Sequence, residues 1–163
     1  LLLADNEPHL LDQAKQSWLD DATWQPLRQL VEDSMVTKDW FELFVLQNFL
    51  LDGVLQPLVF DRFGDALAKH GGAAFLSLSE FMIDWHHESS RWVDAVLKVA
   101  AKESTDNLKH IEAWMAAWSP RVLDALQPVA AAALDTEATT ALDGIFTNLT
   151  QRASKAGLSL KGT

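Results

Sequence analysis

The sequence predicts an all-α fold. Apolar residues recur at three-and-four spacing over long stretches, the period of an amphipathic helix. The five prolines and seven glycines fall mostly between those stretches. No segment reads as a strand, no internal repeat is present, and no linker is long enough to separate two domains. With 163 residues, 48% of them hydrophobic, the chain suffices for one domain with a sizeable core. The expected organisation is a single helical domain or half-domain over 1–157, followed by a short loose tail at 158–163.

The first helix is expected from about Glu7 to Leu19. Asn6 is placed to cap it, and Pro8 suits a first turn, where a missing N–H costs nothing. Leu10, Leu11, Ala14, Trp18 and Leu19 make its apolar face, and Asp20-Asp21 mark a break. The second helix starts near Thr23-Trp24 with Pro26 in its first turn, and carries Leu27, Leu30, Val31, Met35 and Val36. It is expected to run straight into Trp40–Leu51, a stretch that is apolar except for Glu42, Gln47 and Asn48. A stretch apolar on several faces must be buried on several faces. Gly53 and Pro57 predict a kink or local unwinding, because Pro57 leaves the Gly53 carbonyl without its usual partner. The pattern resumes through Leu58, Val59, Phe60, Phe63 and Leu67 and ends at His70-Gly71-Gly72.

The next helix begins just after these glycines, includes Phe75, Leu78, Phe81, Met82, Trp85, Trp92, Val93, Val96 and Leu97, and ends near Glu103. Asp106 is the expected cap of the helix that follows. Its apolar face reads Leu108, Ile111, Met115, Trp118, Val122, Ala125, Leu126 and Val129, with Pro120 and Pro128 as points of kinking or joining. Asp135 or Thr136 starts a last helix striped by Leu142, Ile145, Phe146 and Leu149.

Thirteen basic residues stand against twenty-three acidic ones, a formal charge of −10. That field repels a phosphate backbone and an anionic bilayer, so neither nucleic acid nor a membrane is expected as a partner. Cysteine is absent, which excludes disulfides and thiolate chemistry and agrees with a cytoplasmic setting. No apolar run reaches the roughly 18 residues of a spanning helix. The opening Leu-Leu-Leu-Ala lacks a preceding basic region, so it is read as a cut inside a longer protein rather than a signal peptide. No phosphate loop, nucleophile elbow, HExxH or calcium loop is present. Ser89, Ser90 and His86 have no evident acid to orient the imidazole as a triad requires.

One polar cluster carries possible chemistry: Asp84-Trp85-His86-His87-Glu88. Asp84 and His87 are three apart and share a helix face. Four-helix di-iron sites use an acid-x-x-His pair from each of two helices and a single carboxylate from each of the other two. Only one such pair is present here, with the shorter Asp as its acid. His110 has Asn107 three residues before it, and His9 has Asn6. Glu42 and Glu32 are candidate lone carboxylates. The chain alone therefore cannot assemble the six-residue set, and Asp84, His87 and Glu42 are read as vestigial, ligand-like positions. The bland alternative is that Asp84, His87 and Glu88 are interior polar links, helix-surface groups or interface groups, and that Glu42, Gln47 and Asn48 satisfy a buried interface, since buried acids and imidazoles need partners with or without a metal. The seven Trp and eight Phe read as core and subunit interface, with Trp40, Phe44, Trp85, Trp92, Trp114 and Trp118 as interface candidates.

The segments Trp24-Gln-Pro-Leu-Arg-Gln-Leu-Val-Glu-Asp33, Lys38-Asp-Trp-Phe-Glu-Leu-Phe-Val-Leu-Gln-Asn48 and Leu50-Leu-Asp-Gly-Val-Leu-Gln-Pro-Leu-Val59 are familiar in order. So are Gly71-Gly-Ala-Ala, Glu80-Phe-Met-Ile-Asp-Trp85 and Ser89-Ser-Arg-Trp-Val-Asp-Ala-Val96. Together they resemble the hydroxylase β-subunit of soluble bacterial multicomponent monooxygenases, nearest the phenol hydroxylase branch with toluene monooxygenases close by. The resemblance covers roughly residues 10–130 and the C-terminal half of such subunits. It implies a ferritin-like, ribonucleotide-reductase-like helical bundle. It further implies a non-catalytic structural role in an NADH-dependent aromatic hydroxylase of α2β2γ2 form. The di-iron centre would belong to the partner α-subunit, FAD and an iron–sulfur cluster to a reductase, and a small effector protein would complete the system. No catalytic residue, metal or cofactor is expected in this chain. By the same resemblance, Asp84-x-x-His87 stands where an α-subunit has Glu-x-x-His, and Glu42 approximates a lone glutamate. Two competing readings remain: a small self-associating ferritin-like di-iron protein, in which a symmetric dimer supplies both acid-x-x-His pairs, and an unrelated helical interaction module.

Overall fold

A computed structural model describes residues 8–69 and 72–160, and only the backbone of Ala73 and Leu78. The described residues contain helices and no strand. The order is α1 (Pro8–Asp20), α2 (Gln25–Ser34), α3 (Trp40–Ala68), α4 (Ala73–Glu103), α5 (Thr105–Leu134) and, after a 3-10 turn at Asp135–Glu137, α6 (Ala138–Lys155). The all-α, bundle-like reading of the sequence is what the chain adopts.

Helix α3 is the centre of the packing. Val45, Leu46, Phe49, Leu50, Val54 and Leu58 are all buried. It is long and apolar enough to cross a membrane by length and composition alone, although its apolar stretches are interrupted by polar residues such as Glu42, Gln47, Asn48 and Asp52. Its apolar faces are instead occupied by its neighbours: Val93 and Leu97 of α4, Ile111, Met115, Val122 and Leu126 of α5, and Ile145, Phe146 and Leu149 of α6 join it in one core. Close approach is built in by glycine. A Cβ on Gly53 would lie 2.7 Å from Leu149 Cδ1 of α6, and one on Gly64 would lie 2.6 Å from Leu76 Cδ2 of α4.

Around Gly53–Pro57 the helix does not break but unwinds locally, the second of the two expected outcomes, with π-helical segments at Val45–Leu51 and Pro57–Phe63 set between short α-helical pieces. The Asp52 N–H donates to the Gln47 carbonyl, five residues back. Pro57 falls at the start of the second π segment, where the altered hydrogen-bond register absorbs its missing N–H.

Several boundaries differ from the sequence reading. Helix α2 does not run into α3. It ends at Ser34, and the chain turns through Met35–Asp39 with Met35 and Val36 exposed rather than on an apolar face. Asp39 then caps α3, its Oδ1 accepting the Phe41 N–H at 2.8 Å. Ser104 rather than Asp106 caps α5, accepting the Asn107 N–H at 3.0 Å. A hydroxyl at the cap position reaches the third amide, whereas Asp106 already lies inside the first turn. Helix α5 passes through both Pro120 and Pro128 without a join. The expected roles of Asn6, Glu7, His70 and Gly71 lie outside the described residues.

The tail expected to be loose is packed over 158–160. Leu158 and Leu160 are buried, and the Ser159 N–H donates to Glu112 Oε1 at 2.8 Å. The cause is a glycine cap. Gly157 takes φ +84°, the left-handed region, and the Leu158 N–H returns to the Ala153 carbonyl at 3.0 Å. This reversal folds Leu158 back onto the core. Residues 161–163 lie outside the described residues. Leu158→Ala is expected to cost about 2–5 kcal/mol in chemical denaturation, as for other buried leucines. A loose tail would show no change.

Candidate functional site

A cleft of about 800 Å³ lies between α3, α4 and α6. Helix α3 contributes Gly53, Pro57 and Asp61; α4 contributes Asp84, His86, His87, Glu88, Ser90, Arg91 and Asp94; α6 contributes Ile145, Asn148, Leu149 and Arg152. Its rigid element is the Asp94–Arg152 pair, which ties α4 to α6. The Arg152 Nη2–H donates to Asp94 Oδ1 at 2.9 Å, and Nε–H lies 3.1 Å from Oδ2. Two N–H groups on one carboxylate fix orientation as well as distance. The guanidinium carbon also sits 5.2 Å from the Phe49 ring centroid, within range of a cation–π contact.

His86 faces this cation. Its Nε2 is 3.4 Å from the Ser90 hydroxyl. Partial burial pushes its pKa down to about 4, and the charges of Arg152 and His87 push in the same direction. Asp61 is displaced the other way: loss of water contact raises its pKa, against the lowering effect of His87 and Arg62. Burial likewise raises the pKa of Asp52.

The ligand-like positions are not gathered. Asp84 and His87 line the cleft together, both exposed. Glu42 is not part of it. Its Oε1 accepts the Trp118 indole N–H at 2.8 Å, an interior link between α3 and α5. Among the described residues, no three His, Asp or Glu side chains come together in a way that could hold a metal ion. One acid-x-x-His pair without a facing set does not fit a di-iron cluster.

The aromatic candidates divide. Trp40, Trp85 and Trp92 are exposed, at 73%, 50% and 59%. Phe44 is half-buried, its ring edge-on to Trp92 at 5.6 Å. Trp114 is half-buried between Phe41 and His110. Trp118 is in the chain's own core at 8% exposure, its indole N–H spent on Glu42 and Arg121 stacked on its ring at 4.3 Å. Trp118 is therefore committed to the chain's own core.

Sequence reasoning passed over Asp61, Asp94 and Arg152 as site residues. Arg152 carried a usable signal: it continues the stripe Ile145, Leu149 at three-residue spacing, and a cation on an apolar stripe needs a partner. Asp94 carried no such signal, because it neighbours the inward Val93 and adjacent helix residues do not share a face.

A family model described as methane/phenol/alkene hydroxylase matches residues 1–104. The chain belongs to this family. It is 46% identical over 158 residues to the oxygenase component DmpL of phenol 2-monooxygenase from Pseudomonas sp. strain CF600, covering 97% of this chain and 47% of that one. It is 37% identical to the MhpL component from Acinetobacter pittii, at the same coverage. Toluene-4-monooxygenase hydroxylase subunit beta of Ectopseudomonas mendocina is 27% identical over 106 residues, 65% of this chain and 32% of that one. Among solved structures, a chain of phenol hydroxylase from Pseudomonas sp. OX1 superposes with a TM-score of 0.91 at 38% identity, over 98% of this chain and 48% of that one. This hydroxylase-family chain thus spans about half the length of these phenol-oxidising relatives.

The lowered His86 pKa has a consequence for stability. The unfolded chain takes up a proton near pH 6.5 while the folded chain resists until about pH 4. The His86 contribution is therefore fully present above pH 6.5 and lost progressively down to about pH 4. Asp52 and Asp61, with raised pKa values, act in the opposite sense. The comparison that isolates His86 is wild type against His86→Asn: the difference in Tm between them should change across this window and stay constant above it.

Proposed function

We propose that this chain is the structural half of a β-type subunit in a phenol-type hydroxylase, and that it supports an iron site held by another chain. The observation that carries this reading is a match that covers nearly all of this chain and about half of its phenol-oxidising relatives, combined with a ligand set that stops at one acid-x-x-His pair. Residues 1–157 are then a half-domain, completed by the remainder of a full-length subunit.

In this reading the partner α-subunit carries the di-iron centre. The assembly has the α2β2γ2 form, works in the cytoplasm, and draws electrons from NADH through a reductase bearing FAD and an iron–sulfur cluster, with a small effector protein alongside. The contribution of this chain is rigidity. Ligand placement in such a centre must hold within about 0.5 Å, so the surrounding helices must not shift. The Asp94–Arg152 tie and the glycine-mediated contacts of α3 supply that stiffness on this side. A phenolic substrate is the expectation, because both the nearer relatives and the superposed structure act on phenol by name.

Metal analysis tests the assignment. The chain, purified with and without an α-subunit, is expected to hold iron only in the fractions that contain α. A stable di-iron stoichiometry in the chain alone would overturn the reading, as would retention of iron that Asp84→Ala abolishes.

A further inference from the structure

We propose that the outward face of α4, together with Asp61 of α3, docks a helix from the rest of the subunit, and that this helix places a basic side chain between Asp61 and Asp84. The inference rests on the half-subunit reading above and goes beyond it by naming the chemistry of the contact.

The apolar part of the face is regular. Phe81, Trp85, Trp92 and Val99 are 74%, 50%, 59% and 70% exposed, and their spacing of four, seven and seven keeps them on one line of the helix. The opposite side of α4 is already committed, with Val93 and Leu97 buried in the core. A helix apolar on two sides is built for two layers of neighbours. The chain supplies one layer. The relatives have about as much chain again outside the matched part, enough to supply the other.

The polar part of the contact comes from counting charges in the adjoining cleft. Asp94 is neutralised by Arg152, and Glu88 pairs with Arg91. Asp61 and Asp84 are left. Neither makes a hydrogen bond or a salt bridge among the described residues. His87 and Arg62 act on the charge of Asp61 without reaching salt-bridge distance. Covering the cleft with an apolar helix would bury two carboxylates without partners, which is strongly unfavourable. A bare ion is not the remedy, since no three ligating side chains converge here among the described residues. A lysine or arginine carried in on the covering helix resolves both problems at once.

The probe is the half of the Pseudomonas sp. CF600 relative that this chain does not match, co-expressed with this chain. Complex dissociation is measured against sodium chloride concentration. The complex is expected to form. Asp61→Asn with Asp84→Asn should raise the apparent Kd about tenfold at low salt and flatten its salt dependence. Asp84→Glu should keep the salt dependence. Trp85→Ala should weaken the complex equally at all salt concentrations. A complex that forms with unchanged affinity and salt slope in the double Asn variant overturns this inference and leaves the half-subunit reading standing. No complex, or a self-dimer of the chain through α4 in its place, overturns both.

Discussion

Helix α3 is apolar on more sides than any two-layer arrangement can hide, and the rest of the chain is organised around that constraint. Phe49, Leu46, Leu50 and Leu58 are fully buried, and each such side chain contributes on the order of 1.5–3 kcal/mol relative to exposure. That gain exists only where α4, α5 and α6 approach closely, and Gly53 and Gly64 are where α6 and α4 do. The π-helical segments follow from the same demand. An inserted residue rotates the side chains beyond it, so different stretches of one helix turn their apolar groups toward different neighbours.

The cleft is a by-product of this packing rather than a separate device. Because Gly53 lets α6 sit against α3, Arg152 reaches over the Phe49 ring and meets Asp94 on α4. The ion pair is partly shielded and its geometry is bidentate, so loss of either partner would leave a charge poorly solvated. His86 shares the cleft with that cation, and burial first, then the charge of Arg152, holds it neutral. The polar lining thus reads as a tie between three helices, with Asp61 and Asp84 left facing outward.

Much of this was legible from the sequence. The stripe of α5 from Ile111 to Val129 and that of α6 from Leu142 to Leu149 are the buried faces, because three-and-four spacing reports directly on which side of a helix meets the core. What escaped depended on tertiary context. Met35 and Val36 looked like a continued apolar face, but Asp39 begins a new helix, and a cap outweighs two hydrophobic residues in a turn. The tail looked loose until Gly157 turned Leu158 inward. Asp94 and Arg152 lie 58 residues apart, and spacing within one helix gives no information about such a pair. Trp85, Trp92 and Trp118 are alike in sequence, yet the first two point outward and the third lies in the core.

Glu42 shows why a partial ligand pattern need not be a weakened site. A carboxylate at a lone-ligand position must leave its oxygens free for metal. Here one oxygen accepts the indole N–H of Trp118, a donor that would otherwise be buried without a partner. Releasing Glu42 toward a metal would strand that N–H in the core, at a cost of about 1–3 kcal/mol. The same side chain that would begin a metal site therefore holds α3 against α5 instead. With Glu42 committed to the interior, Asp61 is the α3 carboxylate that shares the cleft with Asp84 and His87, and among the described residues these do not come together as a metal-holding group, so what remains useful on α4 is its surface.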